Sequence, residues 1–146
     1  MIEITATVNS LNQGKALMAT DIQSIYFGME EFGLRLGNSF TLEEQEQLIK
    51  LAHLNNKKAT VAVNGIMHPE KMKKIPAYLK FLKENNVDAI VIGDPGIIYL
   101  MHQLDLFIPF LYDGETLVTS SSQINFWVKK GAKGAVVARE VPFDEL

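Results

Sequence analysis

The chain has no cysteine among its 146 residues. Disulfide bonds, a cysteine nucleophile, a zinc–thiolate centre and a cysteine-ligated iron–sulfur cluster are therefore excluded within this chain. It also has no apolar run approaching the roughly 18 residues of a membrane span, and no basic segment followed by an apolar stretch at its start. We therefore expect a soluble, cytoplasmic protein with no membrane partner.

Two common catalytic signatures are missing as well. The three histidines, His53, His68 and His102, share no metal-ligand spacing, so no metal site is predicted. A run of three serines at 120–122 lacks the Gly-x-Ser-x-Gly elbow of many hydrolases and has no histidine nearby. A serine protease is therefore disfavoured, and we expect structural roles for His53 and His102.

The chain also lacks a strong charge of either sign. Its 14 basic and 17 acidic residues give a net charge of -3, so no general positive field would attract nucleic acid. A local lysine patch could still bind RNA, but the lysines between Lys71 and Lys83 favour a solvated helix face. Trp127 is expected to pack a helix against the sheet rather than to stack on a base.

Six short runs rich in β-branched residues are the strongest positive signal. Helix-like segments follow five of them, and this alternation predicts βαβ units with a parallel sheet in a single α/β domain over 1–146. A (β/α)8 barrel needs eight strands and about 250 residues, so the runs alone leave open a partial barrel or an open, doubly wound sheet. The runs are 2–8, 24–27, 59–63, 89–92, 107–112 and 135–138.

Local signals place the helices between these runs. Ser10 is expected to cap the first helix, and Thr41 with Glu44 forms a capping-box pattern at the start of the second. Pro76 predicts a break in the helical segment that follows Pro69. The other predicted segments are a long loop over 29–40, helices over 97–103 and 122–130, and a helical first turn over 142–146.

Polar residues follow most of the predicted strands. In parallel α/β folds the reacting groups gather at the carboxyl ends of the strands, so these residues are the functional candidates. Carboxylate and amide groups are suited to acid, base and hydrogen-bonding roles. We select as catalytic candidates Asn64, Asp94 and Glu140, and as ligand-binding candidates Arg35, Asp113, Glu115 and Arg139.

Short motifs along nearly the whole chain occur in the order typical of one protein family. They are Tyr26-Phe27-Gly28, Glu31-Phe32-Gly33-Leu34-Arg35, the helix start at 41–44, Ala52-His53, Lys57-Lys58, the segment 87–96, Asn125-Phe126-Trp127 and the segment 137–141. With these motifs the chain resembles the amino-terminal part of the peptidase U32 family, also called collagenase-like proteases. Two short segments, 7–10 and 112–115, depart from the family pattern.

The resemblance implies a TIM-barrel-like domain, here the amino-terminal part of a longer protein, and so favours the partial barrel. Some members of the family are named as proteases, and others act in prephenate-dependent hydroxylation of uridine or cytidine in tRNA or rRNA, or in ubiquinone hydroxylation. The hydroxylating branches carry an iron–sulfur cluster on cysteines beyond the region matched here. The implied function is therefore RNA nucleoside hydroxylation. The alternatives are a peptidase and a non-catalytic binding module.

Each candidate residue also has a structural role open to it. An arginine such as Arg139 offers a rigid fork of donors that suits an RNA phosphate or a dicarboxylate such as prephenate, but it could instead pair with Glu31 or Asp113. Asp94 could cap the next helix, and Asp113 with Gly114 is also a turn signal. Arg35 lies in a glycine-rich loop that could fold over the site as a lid.

The resemblance and the expected sheet edges also suggest partners. The family implies RNA or a small anionic metabolite such as prephenate as ligand, and the remaining carboxyl-terminal region or a paralogous subunit as protein partner. Unpaired edges at the first and sixth strands favour association. A homodimer is therefore a further possibility.

Overall fold

The computed structural model describes residues 2–115 and 117–145. Six parallel strands form one sheet in the order β1-β2-β3-β4-β5-β6. Within residues 2–115 and 117–145 the strand order never reverses and has no topological switch point, so the curled half-barrel confirms the predicted partial TIM-barrel fold over the doubly wound alternative. The strands are β1 (Thr5–Thr7), β2 (Ser24–Gly28), β3 (Lys58–Val63), β4 (Ala89–Ile92), β5 (Phe110–Asp113) and β6 (Gly134–Val136).

Helices connect the successive strands. Ser10 accepts a hydrogen bond from Gln13 N, and the Thr41–Glu44 capping box is present, so both predicted helix starts are confirmed. The helical segment after Pro69 is interrupted before Pro76, as predicted. The helices are α1 (Leu11–Leu17), α2 (Leu42–Leu54), α3 (Pro69–Met72), α4 (Ile75–Glu84), α5 (Pro95–Gln103) and α6 (Ser121–Lys129), followed by a 3-10 turn at Phe143–Glu145.

The helices cover one face of the sheet and leave the other open. Successive residues of a strand point to opposite faces. In β3, Ala59, Val61 and Val63 are fully buried in the hydrophobic core, whereas Thr60 lines a cavity on the concave side. The core therefore lies between the convex face of the sheet and the helices, and the concave face carries both polar and apolar side chains.

Three strands are shorter than predicted. β1 begins at Thr5, and β5 begins only at Phe110 because the preceding Pro109 has no N–H for the ladder. β6 ends at Val136, since the Ala138 N–H donates to Val118 O outside the sheet. Leu146, within the predicted last helical turn, lies outside the described residues. Nowhere in 2–115 or 117–145 does a helix have the length and hydropathy to span a membrane.

Candidate functional site

The concave face of the half-barrel encloses a cavity of about 880 Å³. Alternate residues of the strands line it, because every second side chain of a strand points inward. At the amino ends of the strands it is bordered by Glu3, Lys58 and Asp88. The polar groups at the carboxyl ends are Tyr26, Arg35, Asn64, Asp113, Glu115, Arg139 and Glu140.

Asn64 and Asp113 form the buried centre of the carboxyl end. Each is only 5% exposed, and Asn64 Nδ2 donates to Asp113 Oδ2 over 2.8 Å. Asn64 Oδ1 accepts from Leu34 N at 2.9 Å, and Asp113 Oδ1 accepts from Glu115 N at 2.9 Å. The pair therefore joins the ends of β3 and β5 to the loop after β2, and both carboxylate oxygens have donors.

Tyr26 is the inward-facing side chain of β2 beside this pair. Burial is the main cause that raises the pKa of Tyr26 to about 12, and the negative charges of Asp113 and Glu115 act in the same direction. Arg35 and a hydrogen bond from Asn64 oppose the rise. Since the phenol keeps its proton at neutral pH, it can donate a hydrogen bond to a ligand in the cavity.

The loop over 29–40 folds across the carboxyl end of β3. Gly33 lies so close to this strand that a Cβ on it would sit 3.0 Å from Ala62 Cβ and 3.2 Å from Ala62 O. From this loop, Arg35 reaches Glu115 and forms an ion pair across the cavity mouth. Both residues have left-handed backbones, with φ of 56° and 61°. Such conformations are uncommon for residues other than glycine and concentrate at functional sites.

Arg139 and Glu140 line the same cavity but are held differently. They lie in an exposed turn after β6, rather than directly at the end of a strand. Among the described residues, neither predicted acidic partner binds Arg139, because Glu31 pairs with Lys74 and both oxygens of Asp113 accept other hydrogen bonds. The Arg139 guanidinium is thus available to an anion that enters the mouth.

Asp94 is the site candidate that lies apart from the others. Its Oδ1 accepts a hydrogen bond from Gly96 N at 2.7 Å and caps α5, which is the structural role considered from the sequence. It is not among the residues that line the cavity. The structure therefore brings together Asn64, Arg35, Asp113, Glu115, Arg139 and Glu140, but not Asp94.

Tyr26 was not among the candidates selected from the sequence. Polar residues at strand ends do not reveal it, because Tyr26 lies within a strand. The signal that could have found it is the alternation in β2, where buried Ile25 and Phe27 place Tyr26 on the opposite face. His53, expected to be structural, contacts Asp88 Oδ2 at 2.9 Å near the amino end of the cavity.

The residues present do not fit an iron–sulfur cluster. Such clusters are held by cysteine thiolates, and this chain has no cysteine. In 2–115 and 117–145, no three histidine, aspartate or glutamate side chains are grouped for a metal ion. What this site offers is hydrogen bonding by Tyr26 and anion binding by its arginines.

Comparisons with known proteins relate the whole chain to one family. The model of peptidase family U32 matches residues 9–146. The tRNA hydroxylation protein P2 of Bacillus subtilis is 32% identical over 144 residues, which cover 99% of this chain and 47% of that protein. The tRNA hydroxylation protein P of Escherichia coli is 27% identical over 145 residues, or 99% of this chain and 32% of that protein. The chain thus spans less than half the length of these relatives.

A solved structure with the same fold is that of the U32 peptidase Mk0906. The two share 15% sequence identity with a TM-score of 0.75, over 94% of this chain and 58% of that one. An uncharacterized protease of Methanocaldococcus jannaschii is also similar, with 29% identity over 147 residues, or 100% of this chain and 35% of that protein. The relatives therefore carry names from both hydroxylation and proteolysis.

Proposed function

The chain belongs to peptidase family U32, and we propose that it forms the barrel portion of an enzyme that hydroxylates a nucleoside in tRNA or rRNA. The observation that carries this proposal is the cavity of about 880 Å³, in which half-buried Tyr26 lies beside the buried pair Asn64 and Asp113 at the carboxyl ends of the strands. Ligand pockets commonly measure about 300–1,000 Å³, so a nucleoside fits. The similarity to tRNA hydroxylation proteins extends over the whole chain.

The side chains divide into positioning and binding groups. The side chains of Asn64 and Asp113 form their hydrogen bonds with each other and with the backbone. They therefore act by fixing the loop over 29–40 and the cavity mouth in place. Tyr26 donates to the base, which must leave its stack to enter the cavity. Arg35 and Arg139 bind anionic groups, either an RNA phosphate or the carboxylates of prephenate.

The remaining parts of the reaction come from outside this chain. The half-barrel has edges at β1 and β6, and we propose that the remaining polypeptide of a longer protein, a paralogous subunit or a second copy covers them. An iron–sulfur cluster, if the enzyme uses one, would be held by cysteines there. The similar tRNA hydroxylation proteins are from bacteria, whose RNA lies in the cytoplasm, and we propose the same location for this enzyme.

The test is mass spectrometry of nucleosides in RNA from a strain that lacks the full-length gene. We expect a hydroxylated uridine or cytidine to disappear, to return with the wild-type gene, and not to return with Arg139→Ala. Arg139→Lys should restore only part, because an ammonium cannot reproduce the guanidinium fork. Unfolding free energies should change by about 0.5 kcal/mol or less, since Arg139 is exposed.

Unchanged nucleosides in the deletion strain would contradict the proposed function. Full restoration by Arg139→Ala would contradict only the role of Arg139. The peptidase alternative follows from the family name, and a protease assay of the full-length protein on labelled collagen tests it directly. A protein that neither changes RNA nor cleaves collagen, yet binds RNA, would be a binding module.

A further inference from the structure

Helices α5 and α6 enclose a groove on the outer face of the half-barrel, with a volume of about 410 Å³. Its walls carry Tyr99 and His102 from α5, and Phe126, Trp127 and Lys130 from α6 and its carboxyl end. We call it the α5–α6 groove. None of these residues takes part in the concave site.

Two aromatic side chains of the groove are exposed, and the two aromatic rings of α6 are held in place by packing. Tyr99 is 64% exposed and Phe126 is 52% exposed. Trp127 stacks on Tyr112 with ring centroids 3.7 Å apart, and the Phe126 ring meets Trp127 edge-on at 5.2 Å. Exposed rings fixed by packing are suited to stacking on a flat apolar partner, because little side-chain entropy is lost on binding.

The side chains that line the groove include Lys130 and none that is acidic, while Asp94 and Asp105 flank α5 at its two ends. The segment 116–139, which includes α6, contains four basic residues and no acidic residue, although the whole chain has a net charge of -3. Helix α5 has no acidic residue either. Lys130 Nζ lies 5.8 Å from the centroid of the Phe126 ring, so a cation and an aromatic face are presented together. The groove is therefore complementary to an anion that carries flat rings.

The lysine-rich face of α3 and α4 is different. Lys73 pairs with Glu70 at 2.7 Å, Lys74 with Glu31, and Lys80 approaches Glu84 at 3.9 Å. Its cations are largely balanced by neighbouring carboxylates. Although that face has more lysines, the α5–α6 groove offers the better surface for a polyanion.

We propose that the α5–α6 groove binds a single-stranded segment of RNA, with bases stacked on Phe126 and Tyr99 and a phosphate beside Lys130. Aromatic platforms combined with basic side chains are the usual means of binding single strands. The inference rests on the proposed function in one respect, namely that RNA is the substrate. It adds a second RNA contact outside the cavity, and this contact is independent of the residues of the concave site.

The position of the groove fits this role. It begins at Pro95, directly after the carboxyl end of β4, and extends along α5 to His102. At a rise of 1.5 Å per residue this is about 10 Å. Nucleotides next to a target base in the cavity can therefore continue along the groove.

The test measures binding of RNA by the full-length protein, with unmodified tRNA or rRNA fragments purified from the strain that lacks the gene. We expect the double variant Phe126→Ala/Lys130→Glu to bind at least about tenfold more weakly, since one stacked base contributes roughly 1–3 kcal/mol. The slope of log Kd against log salt concentration should decrease in magnitude by about 1, which corresponds to the loss of one phosphate contact. The matched control, Phe143→Ala/Lys80→Glu, removes an aromatic that is 88% exposed and a lysine of α4. It should bind within about twofold of wild type.

Two results would overturn the inference. The first is an RNA affinity of Phe126→Ala/Lys130→Glu equal to that of the wild type. The second is an equal loss of RNA affinity in the control variant Phe143→Ala/Lys80→Glu. If the groove variant keeps its affinity but melts several degrees lower, another part of the longer protein covers the groove. Should the double variant not fold, Lys130→Gln alone must still give the shallower salt dependence. RNA binding that depends on the groove, in a protein that leaves nucleosides unchanged, would disprove the proposed function but not this inference.

Discussion

The two ends of the half-barrel cavity carry similar polar residues in different settings. At the amino end, Lys58 pairs with Glu3 at 2.8 Å while their side chains are 57% and 46% exposed. Hydrogen bonding to Glu3 is the main cause that raises the pKa of Lys58. At the carboxyl end, Asn64 and Asp113 are each only 5% exposed, and their hydrogen bonds link three separate chain segments.

This difference shows that composition alone does not locate a site. Exposed ion pairs are screened by water and contribute little, whereas it is costly to leave a buried polar group without a hydrogen bond. The carboxyl end is therefore preorganised and the amino end is not. Function at the carboxyl end and stability at the amino end is the division expected of a parallel barrel.

The largest expected effect is that of Asp113→Ala in the full-length protein. The substitution leaves Asn64 Nδ2 and Glu115 N without their acceptor in a buried place. We expect the free energy of unfolding to fall by about 1–3 kcal/mol, and the hydroxylated nucleoside to be lost. Urea unfolding and nucleoside mass spectrometry measure the two effects. If this variant still forms the hydroxylated nucleoside at the normal level, the carboxyl end of the cavity is no more important for activity than the amino end.

Tyr26→Phe should separate activity from stability. It removes one hydroxyl and keeps the ring that packs in β2. We expect nucleoside formation to fall about tenfold, the equivalent of roughly 1.4 kcal/mol for one hydrogen bond. The free energy of unfolding at pH 7 should fall by no more than about 1 kcal/mol, because Asn64 loses the Tyr26 hydroxyl but keeps its hydrogen bond to Asp113. The rate of nucleoside formation in vitro, with the RNA of the deletion strain as substrate, checks this.

The raised pKa of Tyr26 gives the same variant a dependence on pH. In the folded protein the phenol ionises near 12, instead of at its ordinary value of 10.0. Between these values the unfolded chain loses the proton and the folded chain keeps it, so the wild type loses stability as pH rises. Tyr26→Phe should therefore become more stable relative to wild type between pH 8 and 11, as measured by urea midpoints. If the difference in stability between Tyr26→Phe and wild type stays constant over this range, the Tyr26 hydroxyl is exposed to solvent.

Asp88→Ala at the amino end should have the smallest effect. Asp88 Oδ2 accepts from Ala59 N at 2.8 Å and contacts His53 Nε2 at 2.9 Å, but the side chain is 35% exposed and water can replace it. The backbone N–H of Asp88 still donates to Ala59 O. We expect a loss of about 1 kcal/mol in unfolding free energy and normal nucleoside levels. Loss of the hydroxylated nucleoside in Asp88→Ala would show that the amino end of the cavity is also needed for activity.

The order of elements was predictable because it depends on local patterns. β4 has the predicted bounds, and the capping residues Ser10 and Thr41 act as expected. Strand ends shaped by distant hydrogen bonds were not predictable. Ala138, for example, leaves the sheet because its N–H donates to Val118 O.

The candidate site was predictable in its location but not in its partners. Asp94 and Asp113 both follow strands, yet Asp94 caps a helix that starts at the next residue. Asp113 binds Asn64, which lies 49 residues away in the chain. No local pattern distinguishes these two outcomes. Tyr26 lies within β2, so it is indicated by the alternation of the strand and not by the strand ends.

The strict order of the strands also bears on how the chain folds. Each strand in the described residues pairs only with its nearest neighbours in sequence, one connection apart. The paired strands are offset by 19 to 34 residues, so each pairing closes one loop of moderate length, and the amino-terminal part of the chain leaves the ribosome first. The sheet can thus grow by one βα unit at a time as the ribosome releases the chain. In the proposed assembly, closing the ring beyond β1 and β6 would join segments farther apart in sequence than any strand pair described above.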